Sequence, residues 1–185
     1  METVNRFVEG LCAIKENEFT VPRVAHYVQQ HPVDPESLGS YLFYSPAHYT
    51  RNLIYKSDVF ELIAICWDIG QSSQIHNHQN QNCWMAVPLG CLAVQNYELV
   101  KFDDSGFCQL KKANRIIMDP QHPSFVDPAM PIHAVLNLSR FRQRATSLHI
   151  YSRPYDQCLV YSAQKKSYWG VSLSYDSEYG IRSRP

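Results

Sequence analysis

Two histidines separated by one residue, His76 and His78, are the first residues in this sequence whose type and spacing point to chemistry. Side chains two apart on a β-strand share a face, so on a strand their imidazoles converge on one point. Neutral imidazole offers a nitrogen lone pair and is the commonest metal ligand near neutral pH. Alone, the pair reads first as two surface histidines flanking an Asn in a turn. A second run, Ser147-Leu148-His149-Ile150-Tyr151, alternates three polar side chains with two aliphatic ones, which puts each set on its own strand face. With the aliphatic face packed under other elements, Ser147, His149 and Tyr151 would look into the interior; alone, the run reads as a solvated strand face. In Tyr49-Thr50-Arg51, an extended backbone puts Tyr49 and Arg51 on one face. A guanidinium there can hold a carboxylate through two parallel hydrogen bonds, or form an ordinary surface ion pair.

The elements that must position these residues follow from composition and periodicity. The chain has 185 residues, 45% hydrophobic and 12% aromatic, enough for one domain with a substantial core. Lys plus Arg and Asp plus Glu are both 17, so no net charge draws the chain to nucleic acid or an anionic membrane. No apolar run has the length of a membrane span and no basic leader precedes a hydrophobic stretch, so the expected location is cytoplasmic. The six cysteines include no CxxC pair, and a disulfide framework is not expected in that compartment.

Helical spacing of Val4, Phe7, Val8, Leu11 and Ile14 predicts an amphipathic helix over residues 1–17. Shorter helices are predicted over 22–30, with proline in the first turn, and over 35–41 behind a capping Asp34. From Ser45 the pattern changes to short runs rich in Ile, Val, Tyr and Trp, the signature of a sandwich or barrel. Strands are expected over 50–55, 60–67, 74–78, 83–87, 92–100, 106–111, 115–118, 133–137, 145–152, 157–162 and 170–175.

Gly70, His76-Asn77-His78, Cys83 and Gly90, followed later by His133 and Asn137, together resemble the two motifs of the cupin superfamily, with Cys83 standing where a glutamate is usual. Tyr49 to Leu53, Cys66 to Gly70, Ser73 to His78, Ser147 to Cys158 and Tyr179 to Arg182 are similar, in order, to segments of the thiol dioxygenases, and most closely of the cysteine dioxygenases. The resemblance implies a mainly β chain: a single cupin domain over 1–185, with a helical preface over 1–44 and a jelly-roll β-barrel over 45–185. It implies that His76, His78 and His133 bind mononuclear non-haem Fe(II), with O2 as co-substrate. Three neutral ligands leave the metal charge uncompensated, which favours an anionic substrate bound through its thiolate.

By the same resemblance Arg51 and Tyr49 hold the carboxylate of a small thiol, and Ser147, His149 and Tyr151 form a hydrogen-bonded relay. Trp67 is a further candidate for lining the pocket, and the resemblance implies that Cys83 is joined to Tyr151 by a thioether, where on residue type alone it reads as a buried apolar thiol. Arg51 is the pattern for cysteine as substrate, where relatives acting on 3-mercaptopropionate carry Gln. The chain departs from the family's Ser-Pro-Pro at Ser152-Arg153-Pro154, and Arg153 there is expected to bring a second cation to the site wall, making mercaptosuccinate conceivable. Two other classes remain open on the residues: a His-ligated zinc hydrolase, and a cupin that binds a small molecule without turnover. The expected partners are a small thiol carboxylate and no nucleic acid or membrane, with the chain a monomer or weak homo-oligomer.

Overall fold

The computed structural model describes residues 1–126 and 130–182. Two short helices come first, α1 (Val4–Cys12) and α2 (Val21–Gln30). Thr3 caps α1 by accepting from the Arg6 amide, and Pro22 sits in the first turn of α2, where its missing N–H costs nothing. The first helix stops short of the expected residue 17 because the Ala13 amide reaches both Glu9 and Leu11 carbonyls and tightens the last turn. The third expected helix is a 3-10 turn over Pro35–Tyr41, capped by Asp34 as its sequence predicts.

Strands β1 (Thr50–Lys56), β2 (Glu61–Trp67), β3 (Ile75–His76) and β4 (Asn82–Leu89) follow. Next come β5 (Leu92–Phe102), β6 (Cys108–Met118), β7 (Ser124–Phe125), β8 (Ile132–Leu136) and β9 (Ala145–Ser152). The chain continues through β10 (Gln157–Ser162), β11 (Ser167–Ser172), β12 (Ser177–Glu178) and β13 (Ile181–Arg182). They form a seven-stranded sheet ordered β13-β12-β1-β2-β9-β4-β7 and a six-stranded sheet ordered β11-β10-β3-β8-β5-β6. The fold is the mainly β jelly roll of cupin type, built as two sheets rather than one continuously hydrogen-bonded barrel among the described residues.

Several boundaries differ from expectation. The runs 106–111 and 115–118 are one strand, β6, and the run 170–175 sits earlier, as β11. The run 74–78 is a strand only at Ile75–His76, so His78 lies beyond it.

Strand β2 shows how the layers are made. All seven of its residues are buried, because it is covered on both faces. Leu62 and Ala64 join Val4, Phe7, Leu11, Val24 and Val28 of the helices in one cluster; Ile63, Ile65 and Trp67 join the interior cluster with Leu53, Met85 and Tyr151. In the adjacent β9, Leu148 and Ile150 belong to the helix-side cluster. Each such side chain, fully buried, contributes about 1.5–3 kcal/mol. Trp84 fastens the helices further, donating its Nε1–H to the Val21 carbonyl at 3.1 Å.

Asn137 and two glycines shape the loops around the site. The Asn137 side-chain amide donates to the carbonyls of Trp67 (3.3 Å), Asp68 (3.2 Å) and Gln143 (3.0 Å), tying the end of β2 to the approach to β9. Its backbone exchanges bonds with Gly70 and Gln71, both at 2.8 Å. Gly70 has φ +85°, and Gly90, at φ +82°, leaves a Cβ only 2.5 Å from the Arg144 carbonyl oxygen, so both need glycine.

Candidate metal centre

His76 and His133 lie directly opposite each other across the β3–β8 pair. His78 joins them although β3 has ended, because Asn77 carries the pairing on by other means. Its amide donates to the Leu159 carbonyl at 3.1 Å, and its side-chain oxygen accepts from the Leu159 amide at 3.0 Å. With Asn77 bonded outward to β10, the flanking histidines both turn inward. The three rings form a triangle with centroid separations of 5.2, 4.7 and 4.9 Å, and one ligand atom from each lies within 4.8 Å of the others.

The site chemistry fits a metal ion. Both ring nitrogens of His78 and of His133 are buried with no hydrogen-bond partner among the described residues. An unpaired buried polar atom costs about 1–3 kcal/mol, so such a cluster calls for a ligand. The Nδ1 of His76 lies 2.9 Å from the Gln74 carbonyl, which fixes that nitrogen as the protonated donor and leaves Nε2 with its lone pair. Burial lowers the pKa of His76 to about 4 and, with the neighbouring imidazoles, holds His78 and His133 well below the usual histidine range. All three are neutral at physiological pH, the form that ligates. Three imidazoles are a donor set that suits Fe, Zn or Cu.

The alternation in β9 puts Ser147, His149 and Tyr151 on the interior face, as its aliphatic face against the helices requires. Ser147 Oγ is 2.8 Å from His149 Nε2, and the Tyr151 hydroxyl is 3.0 Å from His149 Nδ1. The chain of bonds begins one residue earlier than the trio, since Trp67 Nε1–H donates to Ser147 Oγ at 2.9 Å. With the Ser147 proton directed to Nε2, the neutral imidazole carries its own on Nδ1 and donates it to the Tyr151 oxygen, which leaves the phenolic proton free. Burial lowers the His149 pKa to about 3, with help from Arg51 and His76, so the imidazole stays neutral. Burial raises Tyr151 well above the usual phenol range and, for Cys83, raises the thiol, so both are protonated at neutral pH.

Cys83 is the direct cross-strand neighbour of Tyr151 in the β4–β9 pair, and both are buried, at 1% and 2% exposure. Arg51 donates its Nε–H to the Ser174 carbonyl at 3.2 Å, while its Nη2 is buried without an acceptor among the described residues. Tyr49, its neighbour on the same face, stacks on Trp67 at 4.6 Å. Every residue singled out by sequence except Arg153 is thus in or against the interior. Two that were not singled out are also there. Tyr155 packs its ring edge-on to Tyr151 at 5.2 Å and near His78 at 6.1 Å. Glu61, fully buried, is the cross-strand neighbour of Tyr151 on the other side. A single acidic residue heading the apolar run Glu61–Trp67 was the available signal; Tyr155 had none.

Arg153 is not where the sequence placed it. The Ser152–Arg153 peptide bond is cis. The guanidinium pairs with Glu16 and donates to the Asp58 carbonyl at 3.1 Å, and the backbone N–H donates to Gln81 Oε1 at 2.5 Å. Its side chain is 57% exposed. A long cation in reach of a surface carboxylate keeps its hydration there, so Arg153 ties the N-terminal segment to the loop after β9 instead of entering the site. Of the arginines after His133, Arg144 pairs with Asp68 at 3.1 Å and covers the Tyr44 ring.

Known proteins resemble this chain. A family model described as cysteine dioxygenase type I matches residues 3–164. Cysteine dioxygenase type 1 of Homo sapiens is 28% identical over 168 residues, 90% of this chain and 82% of that protein. The protein of the same name from Danio rerio is 23% identical over 184 residues, covering 98% of this chain and 90% of that protein. A solved structure of a double-stranded β-helix domain protein from Klebsiella pneumoniae has a TM-score of 0.47 at 14% identity, covering 63% of this chain and 82% of that one.

Proposed function

The chain belongs to the cysteine dioxygenase type I family, and we propose that it is a thiol dioxygenase that oxidises L-cysteine to cysteine sulfinic acid, with His76, His78 and His133 holding one Fe(II). The observation that carries the reading is the set of buried imidazole nitrogens without partners, beside a buried Arg51 Nη2 that also has none. One set awaits a metal, the other an anion. Fe(II) held by these three imidazoles would supply open coordination positions and redox chemistry for a thiolate and O2.

The protein groups do the rest. Arg51, held at Nε by Ser174, turns its free Nη2 to the substrate carboxylate, and Tyr49 stands on the same face. Tyr151 presents its phenolic proton where charge develops on oxygen, with Trp67, Ser147 and His149 fixing its orientation. The interior excludes water from the sulfur. Both oxygen atoms end on sulfur, RSH + O2 giving RSO2H, so no further reductant enters. Cys83 and Tyr151 are neighbours that oxidation can join through a thioether; the crosslinked chain weighs less by two hydrogen atoms, and Cys83→Ser removes that species. The protein works as a soluble cytoplasmic monomer or weak homo-oligomer.

The test is oxygen uptake by anaerobically iron-loaded protein with L-cysteine, 3-mercaptopropionate and mercaptosuccinate, with mass spectrometry of the products. Cysteine sulfinate formed at the highest kcat/KM is the expected result. Bound iron with no uptake from any thiol would overturn the reading.

A further inference from the structure

Among the described residues, the buried side-chain polar atoms without hydrogen-bond partners are the ring nitrogens of His78 and His133, Arg51 Nη2, Asn137 Oδ1 and Glu61 Oε1. Metal and carboxylate binding account for the histidines and Arg51. Asn137 Oδ1 and Glu61 Oε1 stay unexplained, and of the two the wholly buried carboxylate is the costlier to keep. It heads β2 opposite Tyr151 on one side and Lys56 on the other. Its Oε2 accepts from the Tyr175 hydroxyl and lies 3.7 Å from Lys56 Nζ. An ammonium and a phenol converging on one oxygen is the setting of an ionised carboxylate. The Arg51 guanidinium carbon sits 5.9 Å from the centroid of that same Tyr175 ring. A buried anion therefore stands one aromatic ring away from the cation that receives the substrate. The Lys56 side chain is 40% exposed and solvent weakens its charge, whereas Glu61 is 0% exposed and keeps its own.

We propose that Glu61 is a specificity-determining residue that favours thiols carrying an amino group over purely anionic thiols. The proposal rests on the thiol dioxygenase reading and refines its substrate class. An ammonium group is attracted by this buried carboxylate through the poorly screened interior, without needing to touch it. 3-Mercaptopropionate, a thiolate and a carboxylate with nothing positive, meets the same buried anion as repulsion. Discrimination of this kind combines an attraction to one ligand with a penalty on the other.

Glu61→Gln keeps the shape and an acceptor for Tyr175 and removes the charge. The kcat/KM of the iron-loaded wild type and variant is measured by oxygen uptake with L-cysteine and 3-mercaptopropionate. Dissociation constants for both thiols come from anaerobic calorimetric titration, where no turnover occurs. The cysteine to 3-mercaptopropionate ratio is expected to fall about tenfold in the variant, by weaker cysteine binding and tighter 3-mercaptopropionate binding. Lys56→Met, at a partly exposed position, leaves Glu61 less compensated and moves the ratio the other way; it carries the test if Glu61→Gln does not fold. Ratios within about twofold of wild type in the variants that fold, or equal losses for both thiols, would overturn the proposal while leaving the dioxygenase reading intact. A wild type that consumes no oxygen with any thiol overturns that reading first.

Discussion

His149 is neutral because its surroundings forbid the charged form, and that neutrality is a stability statement. Its pKa is about 3 in the folded chain, against about 6.5 for an ordinary histidine. A depressed folded pKa means the unfolded chain binds the proton more readily, so the contribution to stability is present above about pH 6.5 and is lost as pH falls toward the folded value. Between those limits one proton is taken up on unfolding, and stability declines by about 1.4 kcal/mol per pH unit from this residue. Urea unfolding of metal-free protein should therefore show a shallower pH dependence between about pH 6 and 4 in His149→Gln, by about that slope. Identical slopes would mean His149 is charged in the fold. His76, His78 and the polar trio were legible because their spacing and alternation are local, whereas His133 came only from the family resemblance. Trp67 as the first donor of the relay was not, since it joins Ser147 across β2 and β9 and no one-dimensional pattern records that pairing.

Strand β9 serves two masters, and its faces can be separated by substitution. Leu148 lies in the helix-side cluster and Ser147 in the hydrogen-bond chain, one residue apart. Leu148→Ala should cost about 2–5 kcal/mol, read as a lower urea midpoint, while activity per folded molecule is retained. Ser147→Ala should differ in activity: it costs about 1–3 kcal/mol for the buried partners it strands, and it lowers kcat by about tenfold as the imidazole loses its orienting partner. Equal effects on both readouts in both variants would refute the division. Strands with such alternation, or with an unbroken apolar run like Glu61–Trp67, were readable from sequence. Others were not. Residues 112–114 read as a break because Lys-Ala-Asn is poor strand material, yet β6 runs through with Ala113 and Asn114 bulged opposite Asn96, and the Gln95 side-chain amide satisfies their carbonyls at 3.1 and 3.2 Å. Strands β12 and β13 have two polar-flanked residues each, too short for any periodicity to show.

At the scale of the whole molecule, helices and sheet share one cluster, with Val4, Leu11 and Val28 packed on Leu62, Leu148 and Ile150. We expect one cooperative transition, coincident by near- and far-ultraviolet circular dichroism; separate transitions would show the helical preface to be its own unit. Fe(II) added anaerobically should raise the melting temperature, with a free-energy gain of about 2.7 kcal/mol at a hundredfold excess over Kd, and His133→Ala should abolish the rise. An unchanged shift in that variant would place the metal elsewhere. The two-faced β9 has a final consequence for how the chain assembles. It lies between β2 and β4, in register with both. A slip by one residue would turn Leu148 and Ile150 toward the imidazoles and push His149 and Tyr151 under the helices, losing the core and the relay together. The strand thereby proofreads its own docking: mispaired chains are poor at folding and inert at once, so the folded population and the competent population are the same molecules.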